Sequence, residues 1–208
     1  MIPIDEKKWI KKASAGDADA FEQLVLQYQT PVYNLCLRMT GDPEDAADMT
    51  QESFLKAWRN LDSFQGNSAF STWLYRLASN TCLDHLRLKK RRPQLSLVME
   101  DADGEEQELD IPDESPDPEE QVIALEEQSI LNGALQSLEE QPRQILILRA
   151  VHGLSYTEIS QVLNVPEGTV KSRLARARDQ LRKKLLQSGN KTLLSSSKKQ
   201  KGGGSSAL

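Results

Sequence analysis

The sequence predicts an all-α protein: two small helical domains joined by a flexible acidic linker, the second containing a helix-turn-helix. Three observations carry that expectation. Apolar residues recur at helical spacing along both ends of the chain, with capping residues where the periodicity starts and few β-branched runs. Between these stretches, Glu100 to Glu120 holds twelve acids and no base, with Pro112, Pro116 and Pro118 breaking any periodicity. Finally, Leu154–Arg178, LSYTEISQVLNVPEGTVKSRLARAR, reads as two short helices meeting at a tight corner.

Composition narrows the function classes. At 208 residues the chain accommodates two small domains or one medium one. No apolar run approaches the roughly 20 residues that span a bilayer, so no direct membrane insertion is expected. The opening MIPIDEKKWIKK lacks the apolar core of a signal peptide, which predicts a cytoplasmic protein. Cys36 and Cys82 fall among apolar neighbours in predicted helices, and His85 and His152 are scattered. No disulfide framework, metal site or cofactor is therefore expected, and the cysteines read as small buried hydrophobes. The net charge of −5 hides a segregation: without the twelve acids of Glu100–Glu120, 19 acids remain against 26 bases, about +7 for the rest.

The first domain is expected over residues 1–93. Gly16-Asp17 closes a basic helical turn, and Asp17 caps a helix with the apolar stripe Phe21, Leu24, Val25 and Tyr28. Pro31 reads as the start of a further helix carrying Val32, Leu35, Cys36 and Met39, closed by Gly41. Asp42-Pro43 then opens a third by the same N-cap logic. In that helix, DPEDAADMTQESFLKAWRNL, the residues Phe54, Leu55, Trp58 and Leu61 are expected inward. Asp45, Asp48 and Glu52 line another face, with Gln51 beside them. Carboxylates stacked on one stripe repel each other unless a basic partner covers them. A solvated acidic face near a helix N-terminus, which the helix dipole favours, is the plainer account. Metal binding is disfavoured because one helix face rarely supplies enough ligands.

A polar loop, Asp62–Ser68 (DSFQGNS), leads into a long helix from about Ser71 to Arg92. Phe64, Phe70, Trp73 and Tyr75 cluster here, and Arg76–Arg92 holds six bases against the single acid Asp84. Cations beside aromatics and a polar loop suit single-stranded nucleic acid. Packing is expected to claim more of these rings than stacking, since Trp73 and Leu77 repeat at helical spacing. Asn80, one turn beyond Arg76, and the loop itself are the better contact candidates.

Residues 94–118 form the linker, which either only solubilises the chain or mimics nucleic acid between two basic modules. The second domain is expected over residues 119–187. Val122, Leu125, Ile130, Leu131, Leu135 and Leu138 mark one or two helices, and Pro142 starts another over Arg143–Val151. In the helix-turn-helix, Ser155 and Glu158 make a capping box, and Ile159, Val162 and Leu163 form the apolar stripe. Asn164-Val165 breaks that helix. Pro166 begins the recognition helix, Pro166–Lys184. Its buried side is Val170, Leu174, Ala177 and Leu181; at about 100° per residue, Thr169, Ser172 and Arg176 face away. Lys171 and Arg178 lie on one flank and Arg173 on the other. Hydroxyls and Arg can reach base edges in a major groove while flanking cations meet phosphates. A solvated amphipathic hairpin is the bland alternative. Nine bases against three acids from Pro142 to Gln187 argue against it, because a merely soluble face mixes signs. Residues 188–208, rich in Ser, Gly and Lys, read as a disordered tail.

Taken together, GDADAFEQL, DAADMTQESFLKAW, FSTWLYRLASN and SYTEISQVLNVPEGTVKSRLARAR make the chain resemble the extracytoplasmic-function (ECF, group 4) sigma factors of the sigma-70 family. The resemblance covers about Gly16–Arg92 and Glu119–Lys184. It implies a promoter-specificity subunit of bacterial RNA polymerase that is not an enzyme, with residues 1–93 as sigma region 2 and 119–187 as region 4. By position it implies that Asp48, Gln51 and Glu52, with Asp45 beside them, dock on the clamp of the polymerase β′ subunit. Phe64, Gln65, Asn67, Arg76 and Asn80 would capture a flipped base of the −10 non-template strand, and Arg87, Lys90 and Arg91 would hold upstream duplex backbone. Lys171, Ser172, Arg173 and Arg176, with Ser155, Thr169 and Arg178 on the same surface, would read the −35 duplex, and this domain would meet the β flap. The linker would thread the active-site channel. Where primary sigma factors carry a paired-tryptophan wedge, this chain has Arg76-Leu77, which implies weaker melting and stricter promoter demand. An anti-sigma partner, often membrane-bound, is a further implication, as is a role in stress response. A stand-alone helix-turn-helix regulator binding duplex operators would explain the second domain but leaves the first unexplained; an RNA-binding adaptor is a more distant rival.

Overall fold

The computed structural model describes residues 4–91 and 129–187. The linker, Val122, Leu125 and the tail lie outside the described residues. All regular structure within them is helical. The first unit comprises α1 (Ile4–Ser14), α2 (Ala18–Thr40), α3 (Pro43–Arg59), a single 3₁₀ turn (Leu61–Ser63) and α4 (Phe70–Arg91). The second comprises α5 (129–136), α6 (Glu140–Leu146) running into a π-helical turn (Ile147–Val151), α7 (Tyr156–Leu163) and α8 (Glu167–Gln187).

The caps form where the sequence places them. Asp17 accepts from the Ala20 N–H at 3.0 Å and Asp42 from the Asp45 N–H at 2.8 Å. Ser155 and Glu158 make the reciprocal capping box. Three expectations need correction. Pro31 does not start a helix, because α2 runs through it for 23 residues. That helix packs on α1, α3 and α4 and buries Leu24, Val32, Leu35, Cys36 and Met39. This burial outweighs the ~3 kcal/mol that an interior proline costs. Leu55 points outward at 41% exposure instead of inward. Pro166 stands just before α8, its carbonyl accepting from the Thr169 and Val170 N–H groups, so it caps the recognition helix rather than opening it. Asn164, left-handed at φ +51°, has already turned the chain at the end of α7.

The buried residues of both units form one contiguous core, an arrangement no pattern in the sequence specifies. α7 lies against α4, and α5 and α6 meet the C-terminal end of α2. There the buried Arg143 guanidinium donates to the carbonyls of Met39, Gln136 and Leu138 and to Gln136 Oε1. Gln136 Nε2 in turn donates to the Arg38 carbonyl at 2.9 Å. The last carbonyls of α2 are thus met by a cation and an amide, which suits the negative end of the helix dipole. Gly41 is needed twice over: it is left-handed at φ +79°, and a Cβ there would lie 2.6 Å from Gln136 Cδ. Lys90 reaches Glu140 at 2.6 Å across the same junction.

His152 lies 4.6 Å, ring to ring, from Tyr75 of α4, and its Nε2 has no hydrogen-bond partner among the described residues. Burial, with the Arg38 charge adding to it, lowers its pKa from 6.5 to about 4. Because the neutral form is favoured in the folded protein, this contribution to stability is complete above pH 6.5 and is lost as pH falls towards 4. Between pH 7 and 5 the loss reaches about 2 kcal/mol. A His152→Leu variant removes it, so denaturant melts of the two proteins should diverge as the pH is lowered. Parallel pH profiles would show that His152 is not held neutral.

Candidate polymerase and promoter interface

Three surfaces hold the residues singled out in the sequence. The first is on α3. Its apolar side, with Ala46, Phe54 and Ala57 buried, seats the helix on α2 and α4 and turns Asp48 and Gln51 to solvent. Glu52 is partly covered and reaches Lys56 at 3.6 Å. Asp45 behaves differently. It takes Lys89 at 2.7 Å and His85 at 3.1 Å, and the Lys89 hydrogen bond in particular holds its carboxyl below the usual carboxylate range. Asp45 therefore ties α3 to α4, leaving Asp48, Gln51 and Glu52 as the accessible stripe.

Beside that stripe runs a feature the sequence reading missed, an apolar groove of about 830 Å³ between α2 and α3. Phe21, Val25, Tyr33, Phe54, Leu55 and Trp58 line it, with Gln51 at its edge. Periodicity held no sign of it: at about 100° per residue Phe54, Trp58 and Leu55 span about 100°, the ordinary apolar stripe of a helix buried on one side.

The second surface joins the loop to α4. A pocket of about 250 Å³ is lined by Ser63, Phe64, Gln65, Asn67, Ser68, Trp73 and Arg76. Phe64 packs 5.5 Å from both Phe70 and Trp73, so Phe64 and Trp73 give the pocket an aromatic side, and the exposed Gln65, Asn67 and Arg76 give it a polar one. Gln161 of α7 completes the lining, a residue sequence reasoning did not select. Asn80 is exposed but does not join this pocket; it lines a smaller one with Arg173. Farther along α4, Arg87 pairs with Asp84 at 3.3 Å, Lys90 with Glu140, and Arg91 is exposed.

The third surface is the outer face of α8. Val170, Leu174 and Ala177 are buried, as their spacing requires. Lys171, Ser172, Arg173, Arg176 and Arg178 are exposed and Thr169 is half-buried. None of these four cations forms an ion pair among the described residues. The Ser172 hydroxyl donates to the Thr169 carbonyl at 3.0 Å. Ser155 is engaged with Glu158, whose carboxyl that hydroxyl keeps ionised below the usual range. Arg149 and Lys171 both approach the Tyr156 ring, at 5.2 and 5.8 Å, extending the basic surface onto α7.

A basic helix-turn-helix coupled to an α4 surface with a single-base-sized pocket defines a promoter-reading protein. The comparisons with known proteins agree: residues 24–92 match Sigma-70 region 2 and residues 129–181 match Sigma-70 region 4. The chain is 39% identical over 179 residues to the ECF RNA polymerase sigma factor SigW of Bacillus subtilis, covering 86% of this chain and 96% of that one. It is 40% identical over 181 residues to the RNA polymerase sigma-H factor of Pseudomonas aeruginosa, covering 86% and 93%. In fold it is similar to CnrH, solved with the cytosolic domain of CnrY (TM-score 0.63, 24% identity, 88% of this chain and 98% of that chain). It is also similar to the sigma factor RpoE of Bartonella quintana, solved with the anti-sigma factor NepR (TM-score 0.59, 24% identity, 79% and 96%). The chain belongs to the extracytoplasmic-function sigma factors of the sigma-70 family. It is an alternative sigma factor that gives core RNA polymerase its promoter specificity.

Proposed function

We propose that the three surfaces divide the work of initiation. Asp48, Gln51 and Glu52 dock on a basic face of the polymerase clamp, with Asp45 holding their helix in place. The pocket of Phe64, Gln65, Asn67 and Arg76 receives one base of the melted −10 non-template strand. Extruding a base costs a few kcal/mol, so a pocket that repays that cost for one base best also selects sequence. Asn80 extends this strand path, and Arg87, Lys90 and Arg91 follow the upstream phosphates. Arg173 and Arg176, with Thr169 and Ser172, face base edges of the −35 duplex, while Lys171 and Arg178 meet phosphates and Ser155 orients the entry of α7. The functional limits are residues 1–93 and 119–187, the second unit also meeting the β flap. The protein works in the cytoplasm, carries no catalytic residue of its own and answers to an anti-sigma regulator, a partner class to which the NepR bound to Bartonella quintana RpoE belongs. A stand-alone operator-binding regulator is not favoured, since the relatives match both units.

The observation that carries this reading is the outer face of α8, four cations with no ion pair among the described residues on a helix whose inner face buries Val170, Leu174 and Ala177. Its test is promoter binding by the holoenzyme as salt is varied. Arg176→Ala should relax discrimination at one −35 position by about 10- to 100-fold, whereas Arg178→Ala should weaken all sequences alike and lower the salt slope by about 1. Equal behaviour of the two variants would remove the distinction between reading and positioning residues.

A further inference from the structure

We propose that Cys36 and Cys82 form a dithiol–disulfide site, oxidised by a hydroperoxide, that ties α2 to α4 beneath the strand-capturing face and switches promoter capture off. The two cysteines are free thiols, one on each helix, and both are 0% exposed. The helices pack directly on each other, and the thiols meet in a hydrogen bond across them. Helices about 8–10 Å apart bring facing Cα atoms to roughly 5 Å, inside the range a disulfide spans. Thr50 of α3 hydrogen-bonds Cys36 and also lines the apolar groove between α2 and α3. A single side chain thus bridges from this sulfur to the groove, and a hydroperoxide there needs only a local opening to reach it. A dithiol of this kind in an intracellular protein suits reversible redox sensing rather than a permanent staple.

The hydrogen bond from Cys82 lowers the Cys36 thiol below its ordinary range, while the same contact and then burial raise Cys82. Cys36 is therefore the attacking sulfur and Cys82 the resolving one. The Cys36 thiolate attacks one oxygen of hydrogen peroxide; the O–O bond breaks, hydroxide leaves with the Cys36 proton as water, and a sulfenic acid forms. Cys82 then attacks that sulfur: the S–S bond forms, the S–O bond breaks, and the second oxygen leaves as water with the Cys82 proton. Two thiols are oxidised and one peroxide is reduced to two waters. The new bond shortens the Sγ–Sγ separation from noncovalent contact to about 2.05 Å. In a close-packed core that draws α4 onto α2 at Cys82, which follows Asn80 and Arg76 along the same helix. A pocket for one base must be held to within about 0.5 Å, so the displacement costs capture. This consequence rests on the strand-capture role proposed above for α4. Asp48 and Gln51 of α3 point to solvent, away from the thiols, so core docking persists.

In the test, hydrogen peroxide is added to the folded protein and then destroyed with catalase. The protein should lose about 2 Da, the mass of the two thiol hydrogens, and peptide mapping should join the segments that hold Cys36 and Cys82. Promoters are identified beforehand by transcribing sheared bacterial genomic DNA with the reduced protein and core polymerase. The oxidised protein should co-elute with core as the reduced one does, yet give about tenfold less RNA from those promoters, restored by dithiothreitol. Cys36→Ala and Cys82→Ala, treated alike, should keep their yield, which separates the bridge from oxidation of methionine. The proposal is overturned if the folded protein keeps both thiols under peroxide, or if the bridged protein transcribes like the reduced one. An equal loss of yield in either alanine variant overturns it too. A bridge that forms in a protein whose reduced form transcribes no promoter upholds the redox site and removes the capture role instead.

Discussion

Reversing Asp48 and Glu52 together to arginine should abolish co-elution with sigma-free core polymerase, a loss of at least 100-fold in affinity. Asp48 is exposed and Glu52, among the described residues, pairs with Lys56, so neither substitution touches the packed side of α3. Placing two cations where a basic partner expects two carboxylates replaces attraction by repulsion at each site, and like-charge juxtaposition across an interface costs several kcal/mol. Size exclusion of the variant beside wild type, with circular dichroism to show that it is folded, makes the measurement. Asp45→Arg should behave differently. It breaks the contacts to Lys89 and His85 and is expected to lower the melting temperature as well as core affinity. Should the double variant still co-elute, the apolar groove lined by Phe21, Leu55 and Trp58 becomes the docking surface, and Leu55→Glu is the variant that must then fail.

Arg143→Met should cost about 3 kcal/mol of stability and about 10 °C in melting temperature. Methionine matches much of the arginine volume, so the loss is one of donors: the buried carbonyls of Met39 and Leu138 and the half-buried one of Gln136 lose their partner. Each unmet buried carbonyl costs about 1–3 kcal/mol, partly offset because a desolvated guanidinium is no longer buried. That desolvation already depresses the Arg143 pKa below its ordinary value. Arg143→Lys should recover little, since a single ammonium cannot span acceptors arranged for a planar fork. Urea denaturation of the three proteins decides it. A loss below about 0.5 kcal/mol for Arg143→Met would mean that water replaces the guanidinium at no cost, as it does at exposed positions.

Local chemistry was legible wherever one helix could satisfy it. Asp17, Asp42 and Ser155 announce helix starts because their short side chains reach the backbone N–H three residues on, and Glu158 reaches back to the Ser155 N–H, a matter of covalent geometry alone. The buried face of α8 follows from 3.6-residue periodicity, and its outer cations from the same arithmetic. Family motifs then assigned meaning to these faces that spacing alone did not. What the sequence could not decide is whatever needs two segments at once. Pro31 stays inside α2 because burial against three other helices outweighs its local cost. Asp45 and Asp48 look alike along the stripe, but only Asp45 lies within reach of Lys89, 44 residues on. The groove beside Leu55 needs α2 and α3 side by side. Gln161 enters the pocket beside Phe64 and Arg76, and Arg143 reaches Met39, only because the second unit folds back onto α4 and the end of α2. By itself the sequence determined the helices, their caps and the chemistry of each face. Tertiary structure alone decided which faces meet, because packing free energy depends on which surfaces exclude water together, and that is not a property of any one stretch of chain.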